Sequence, residues 1–147
     1  MALEIRPIAL AEYELASQVA LNSFTHLAAQ YQSAQGVATF AEVASPAQMR
    51  ARDAAGGATW VAIIQSTIIG LIQVRADAHI TLLFILPEFQ SRGVGRALIK
   101  AADAQQRLET VHASPNSVMA YMRYGFMPIG AEQLSETGIR FVPMKRN

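Results

Sequence analysis

The sequence predicts one domain of mixed α/β or α+β class. The chain has 147 residues, within the usual span of about 100–200 for a domain. Short runs rich in Ile, Val and Leu alternate with stretches of helical periodicity. Their order is strand, helices, three strands, helix, strand, helix, strands, which is the pattern of a sheet layered with helices.

The elements follow from the N-terminus. Ala2–Pro7 alternates apolar and polar residues and reads as a first strand ending at Pro7. From Leu10 to Phe24, apolar Ala11, Leu15 and Val19 are spaced four apart, as on a helix face. Thr25 to Gln35 is polar and Ala-rich, and Gly36 is expected to break it. Pro46 to Ala55 reads as a second helix, with Ser45 as cap and Pro46 at its first position. Gly56-Gly57 ends it. Thr59–Gln65, Ile68–Arg75 and Ile80–Leu86 read as buried strands. Ser66-Thr67 suits a hairpin connection, and Gly70 marks a bulge in the second of the three. Gly93 to Arg107 carries Val94, Ala97, Leu98, Ala101 and Ala102 in the i, i+3, i+4, i+7, i+8 pattern of an amphipathic helix. Leu108–Ala113 follows as a strand. Ser114-Pro115 opens a helix that ends at Gly125, with Ser114 as its cap. Phe126–Ile129 and Ile139–Met144 read as final strands around a polar loop.

Composition narrows the function. The chain is 52% hydrophobic and 16% charged, which argues against disorder. The absence of cysteine excludes disulfides, a thiolate nucleophile and Cys-ligated metal sites, and no metal is expected. A net charge of +1 weighs against a dedicated nucleic-acid binder. Glu4, Arg6 and Pro7 interrupt the N-terminus, so no signal-peptide core is seen. No run approaches the ~20 apolar residues of a membrane helix. The expectation is a cytoplasmic single domain spanning 1–147, without nucleic-acid or membrane partners.

The most informative stretch is Leu82 to Lys100. A buried strand closes at Pro87, a short loop carries Gln90-Ser91-Arg92-Gly93-Val94-Gly95-Arg96, and a long helix begins. A helix N-terminus presents free N–H groups and a positive dipole end, and glycines let an anion approach closely. Together they form a phosphate cradle. Arg92, Arg96 and Lys100 are spaced to line one face beside it. The stretch is neither a P-loop, which needs Lys-Ser/Thr after its last glycine, nor a dinucleotide fingerprint, which needs Gly or Ala where Leu98 stands. A Gly-rich helix start with solvated basic residues accounts for the same residues without a ligand.

Gln90-Ser91-Arg92-Gly93-Val94-Gly95 resembles the acetyl-CoA signature [QR]-x-x-G-x-[GA] of the GNAT family of N-acetyltransferases. Ile5-Arg6-Pro7 is similar to the family's common opening. Ser114 to Tyr121, followed by Tyr124-Gly125-Phe126, resembles its later motif, a helix with a tyrosine four residues before Gly-Phe. Ala9 to Gly57 carries no recognisable motif. The resemblance implies a central twisted mixed sheet flanked by helices on both faces. It implies that the strand ending at Pro87 splays from the strand at Leu108–Ala113, with acetyl-CoA in the opening. Backbone groups of Leu83, Phe84 and Ile85 would bind the pantetheine arm. Ser91, Arg92, Gly93, Val94, Gly95 and Arg96 would bind the pyrophosphate.

The implied chemistry is transfer of acetyl to an amine, on a small molecule, a peptide N-terminus or a lysine, by direct attack. Tyr121 takes the family's position for the acid that protonates departing CoA. By spacing alone, Val118, Tyr121 and Met122 read equally as a packed helix face. Tyr124 is expected to pack. Glu109 stands where some members carry a general base, with His112 on the opposite face of the same strand and His79 at the start of the preceding one; water is the alternative. Many members have Asn where Ser114 falls; its hydroxyl would contact the cofactor or cap a helix. Phe24, His26, Tyr31 and Phe40 are candidates for the acceptor site, or core. A non-catalytic acyl-CoA-binding module or sensor shares the Gly-rich loop. Dimers are common in such folds, and nothing in the sequence fixes the oligomeric state.

Overall fold

A computed structural model describes residues 2–147. Strands β1 (Leu3–Pro7), β2 (Ala58–Ile64), β3 (Thr67–Val74) and β4 (His79–Ile85) form an antiparallel run. The sheet continues through β5 (Thr110–Ala113), β6 (Phe126–Pro128) and β8 (Arg140–Arg146) in the order β1-β2-β3-β4-β5-β8-β6. A two-residue strand, β7 (Gln133–Leu134), pairs with β8 outside that path. Among the described residues, only β4 and β5 run parallel. That pairing needs a crossover. Helix α4 (Val94–Gln105) supplies it.

Alternation along the strands sends alternate side chains to opposite faces. Trp60, Ala62 and Ile64 join a core that contains Leu98, Ile99 and Ala102 of α4 and Tyr121 of α5 (Val118–Arg123). Val61 and Ile63 point the other way, into a core with Tyr13, Ala16, Ala20 and Phe24 of α1 (Tyr13–Leu27). Phe40 of α2 (Ala34–Val43) and Met49 of α3 (Pro46–Ala54) close that second core. The expected helices on both faces are therefore present.

Local chemistry accounts for several boundaries. The Ser45 hydroxyl accepts from the Gln48 N–H, capping α3 with Pro46 at its first position. The β2–β3 hairpin turns on Gln65 and Ser66, both at positive φ, one residue before the expected pair. Gly70 does sit at a bulge. It pairs with Ala62 while Ile68 pairs with Ile63, leaving Ile69 unmatched.

Three expectations need correction. Gly36 breaks nothing, because it lies in the first turn of α2, where its N–H is capped by the Ser33 hydroxyl. A Cβ there would overlap the Gly138 carbonyl, so the residue is set by tertiary packing. Ser114 precedes the turn before α5, but its hydroxyl caps no backbone N–H and bonds the Ser117 hydroxyl at 2.9 Å instead. The polar loop before β8 also contains β7, too short for a periodic signal.

Candidate active site

β4 and β5 pair at only two register positions, His79 with Thr110 and Ile80 with Val111, and then part. The apex of the gap coincides with a bulge in β4. Leu82 pairs with Gln73 and Ile80 with Val74, so Thr81 is the unmatched residue. The Thr81 hydroxyl oxygen is buried and has no hydrogen-bond partner. Thr81 lines a cleft of about 750 Å³ that occupies the gap.

The wide end of the gap is built largely from backbone. The Leu86 N–H donates to Ile69 on the β3 side. Hydrogen-bonding direction alternates along a strand. Leu82 and Phe84 therefore turn their backbone groups to β3, while Leu83 and Ile85 turn theirs to the open side. The Ile85 carbonyl there accepts from Ser23 Oγ at 2.9 Å and from Gln90 Nε2 at 2.8 Å. Leu83 thus has the placement expected of a pantetheine-binding backbone, and Ile85 keeps only its N–H free for it. Phe84 is corrected: its backbone serves β3, and its ring reaches the cleft instead.

Beyond Pro87 the loop takes two left-handed steps, Ser91 at φ 61° and Gly93 at φ 81°, and Gly93 is the N-cap residue of α4. No side chain caps that helix, so its first N–H groups are left for a ligand or solvent. A Cβ on Gly93 would meet nothing within 4 Å. Gly95, two residues on, is different. It is buried, and a Cβ on it would overlap the Tyr124 hydroxyl. Tyr124 packs, as expected, and the guanidinium of Arg96 lies 5.6 Å from its ring. Arg92 lies 5.5 Å from the Phe89 ring. Both arginines are exposed beside the loop, as is Ser91.

Tyr121 projects from α5 into the cleft. Its ring stands edge-on to Tyr124 at 6.0 Å and to Phe126 at 5.8 Å, which fixes its direction. Burial, with a smaller contribution from Tyr124, holds its phenol above the ordinary range, so it is protonated at neutral pH. Ser114 also lines the cleft.

Glu109 is not brought to this place. It precedes β5, pairs with Arg107 at 2.6 Å and is not among the residues lining the cleft. The two imidazoles are. His79 Nδ1 shares a hydrogen bond with Thr110 Oγ1 at 2.8 Å, and burial, then Arg75 and His112, push its pKa down to about 4. His112 stands edge-on to His79 at 4.7 Å and stacks on Phe141 at 4.3 Å. Partial burial and Arg75 lower its pKa too. Of the acceptor candidates, Phe24 and Phe40 line the cleft, His26 is an exposed helix residue, and Tyr31 lines a separate hollow. Sequence reasoning missed Ser23, Thr81 and Arg75. None belongs to a motif; strand pairing places Thr81 and Arg75, and the packing of α1 on the sheet places Ser23.

Comparison with known proteins agrees with this architecture. The profile of the acetyltransferase (GNAT) domain matches residues 28–147. The uncharacterized N-acetyltransferase YafP of Escherichia coli K12 is 28% identical over 140 residues, covering 95% of this chain and 91% of that protein. A GCN5-related N-acetyltransferase from Rhodopseudomonas palustris has the same fold, with TM-score 0.83 and 22% identity over 100% of this chain and 98% of the other. So does the PaiA N-acetyltransferase of Thermoplasma acidophilum, solved in complex with coenzyme A, with TM-score 0.76 and 21% identity over 100% of both chains. With most of its length matched by one family profile, and with the strand gap and Gly-rich turn in place, the chain belongs to the GNAT family of acetyltransferases.

Proposed function

We propose that the protein is an acetyl-CoA-dependent N-acetyltransferase working by direct attack of an amine. The observation that carries the reading is one continuous cleft. It joins the open backbone of β4 to a protonated Tyr121 on one sheet face and to two imidazoles on the other. Bound acetyl-CoA supplies an acetyl thioester, whose C–S bond breaks as the amine nitrogen bonds the carbonyl carbon.

Each residue has a task that its surroundings permit. The turn at Ser91–Gly93 and the first N–H groups of α4 hold an anionic diphosphate. Leu83 offers its N–H and C=O to an extended arm, as a neighbouring strand would. The hydroxyl of Thr81, buried at the apex without a protein partner, turns to donate to the carbonyl oxygen when the cleft is filled, where a donor stabilises developing charge. The Tyr121 phenol gives a proton to the departing thiolate. His112, neutral at pH 7, takes the amine's proton directly or through water. No covalent step on the enzyme is needed, which suits a chain without cysteine.

Tyr121→Phe tests this division of labour. The expected result is a kcat lower by about 10²–10⁴, the range of a lost general acid, with acetyl-CoA affinity within twofold of wild type. Unaltered turnover and an unaltered pH profile would remove Tyr121 from the mechanism.

A further inference from the structure

Resting on the acetyltransferase reading, we propose that the acceptor is a monoamine with an aromatic body, and neither a polyamine nor a basic peptide side chain. The evidence is the wall of the cleft on the α1–α2 side of the sheet. Three rings line it: Phe24 and Phe40 stack with centroids 3.9 Å apart, and Phe84 meets Phe40 edge-on at 5.2 Å. Phe141 lines it next to His112. Strand alternation sets Phe84, His79, His112 and Phe141 on this one face, opposite the face that carries Tyr121. Phe24 and Phe40 are buried and back this wall, while the half-buried Phe84 and Phe141 are the rings an aromatic body can stack against as its amine reaches the imidazoles at the apex.

The charges weigh against a polyamine, and a lysine side chain, which carries a single ammonium, is disfavoured because it brings no ring to the aromatic wall. Among the described residues no aspartate or glutamate lines the cleft, whereas Arg75, Arg123 and Arg140 do. The acids that neutralise two of these lie outside it. Asp77 pairs with Arg75 at 2.7 Å and Glu132 pairs with Arg140 at 3.2 Å. A substrate with a second ammonium would find no carboxylate on the cleft wall to receive it, so the cost of removing that charge from water is uncompensated. A carboxylate on the substrate meets no such deficit.

The test is acetylation of four amines: phenethylamine, phenylalanine, spermidine and a lysine peptide. It is run with wild type and Arg140→Glu, with acetyl-CoA binding measured by calorimetry on the same samples. Arg140 is exposed, and the swap places a carboxylate on the cleft. The expected kcat/KM for phenethylamine exceeds that for spermidine by at least tenfold in wild type, with phenylalanine on the phenethylamine side. That ratio falls at least fivefold in Arg140→Glu. Spermidine or the lysine peptide as the best wild-type substrate would overturn the proposal. So would a ratio unmoved by Arg140→Glu, or acetyl-CoA binding with no turnover of either aromatic amine. Failure of acetyl-CoA to bind at all would instead sink the acetyltransferase reading beneath it.

Discussion

The two faces of the sheet reach the gap between β4 and β5 by different means. On the α4–α5 face the site is mostly backbone: a left-handed turn at Gly93, free N–H groups at a helix start and the outward groups of Leu83. On the α1–α3 face it is side chains, with Phe24 from α1, Phe40 from α2, Phe84 from β4 and His112 from β5. A backbone site needs particular residues at fixed spacing along one segment, so it leaves a local signature. A side-chain wall needs only that distant segments meet, and many residues satisfy it.

The larger effect belongs to the side-chain face. His79 is held down to about 4 in the fold, chiefly by burial, against an ordinary value near 6.5. As pH falls below about 6.5 the unfolded chain takes up the proton first, so stability declines through the window from 6.5 to 4. On the order of 2–3 kcal/mol should be lost across it. His79→Gln should flatten that part of the stability-versus-pH curve, and an unchanged slope would show that His79 is not the group responsible.

The contrast is sharpest between the motif's two glycines. Gly93 faces open space, while Gly95 is filled from the other side by Tyr124. Gly95→Ala therefore makes the Tyr124 ring move: about 1 kcal/mol of stability is expected to be lost, the low end of the cost of overpacking, because the clash is with a side-chain tip and the helix gains from Ala. Tyr124→Phe in the same chain should recover much of it by removing the hydroxyl. Thermal or denaturant unfolding of the two single variants and the double variant checks this. Additive losses would break the assignment, because the pair would then not touch.

Legibility in the sequence followed the same division. β2 to β4, α4 and β5 lie within a residue or two of where periodicity puts them, because the hydrophobic pattern of each is set within its own run. The Gly-rich turn is visible from residue spacing, whereas Tyr121 stands out only through the resemblance to the family's later motif. Gly36 misled, since a propensity rule for glycine gave way to a close approach between α2 and Gly138. Phe84 was assigned to the right element but the wrong group, because one residue of register decides whether backbone or side chain faces the gap. Glu109 stood on the expected segment, yet its ion pair with Arg107 lies outside the cleft. The bulge that isolates Thr81 depends on the pairing of β3 with β4 and has no signature in the run itself.

The central claim is that the backbone of the parted strands and of the turn at Gly93 binds acetyl-CoA. Its most direct test is calorimetric titration of acetyl-CoA into wild type and Gly93→Asp. A Cβ there meets nothing within 4 Å, so an aspartate sets a negative charge at the helix start where the diphosphate is held, and Gly93→Ala, which carries the same left-handed strain at φ 81° without the charge, serves as the control. Binding to wild type with at least ~100-fold weaker binding to the aspartate variant, about 2.7 kcal/mol, is the predicted result. Equal binding to wild type and the aspartate variant, both folded, or binding to neither, would contradict it.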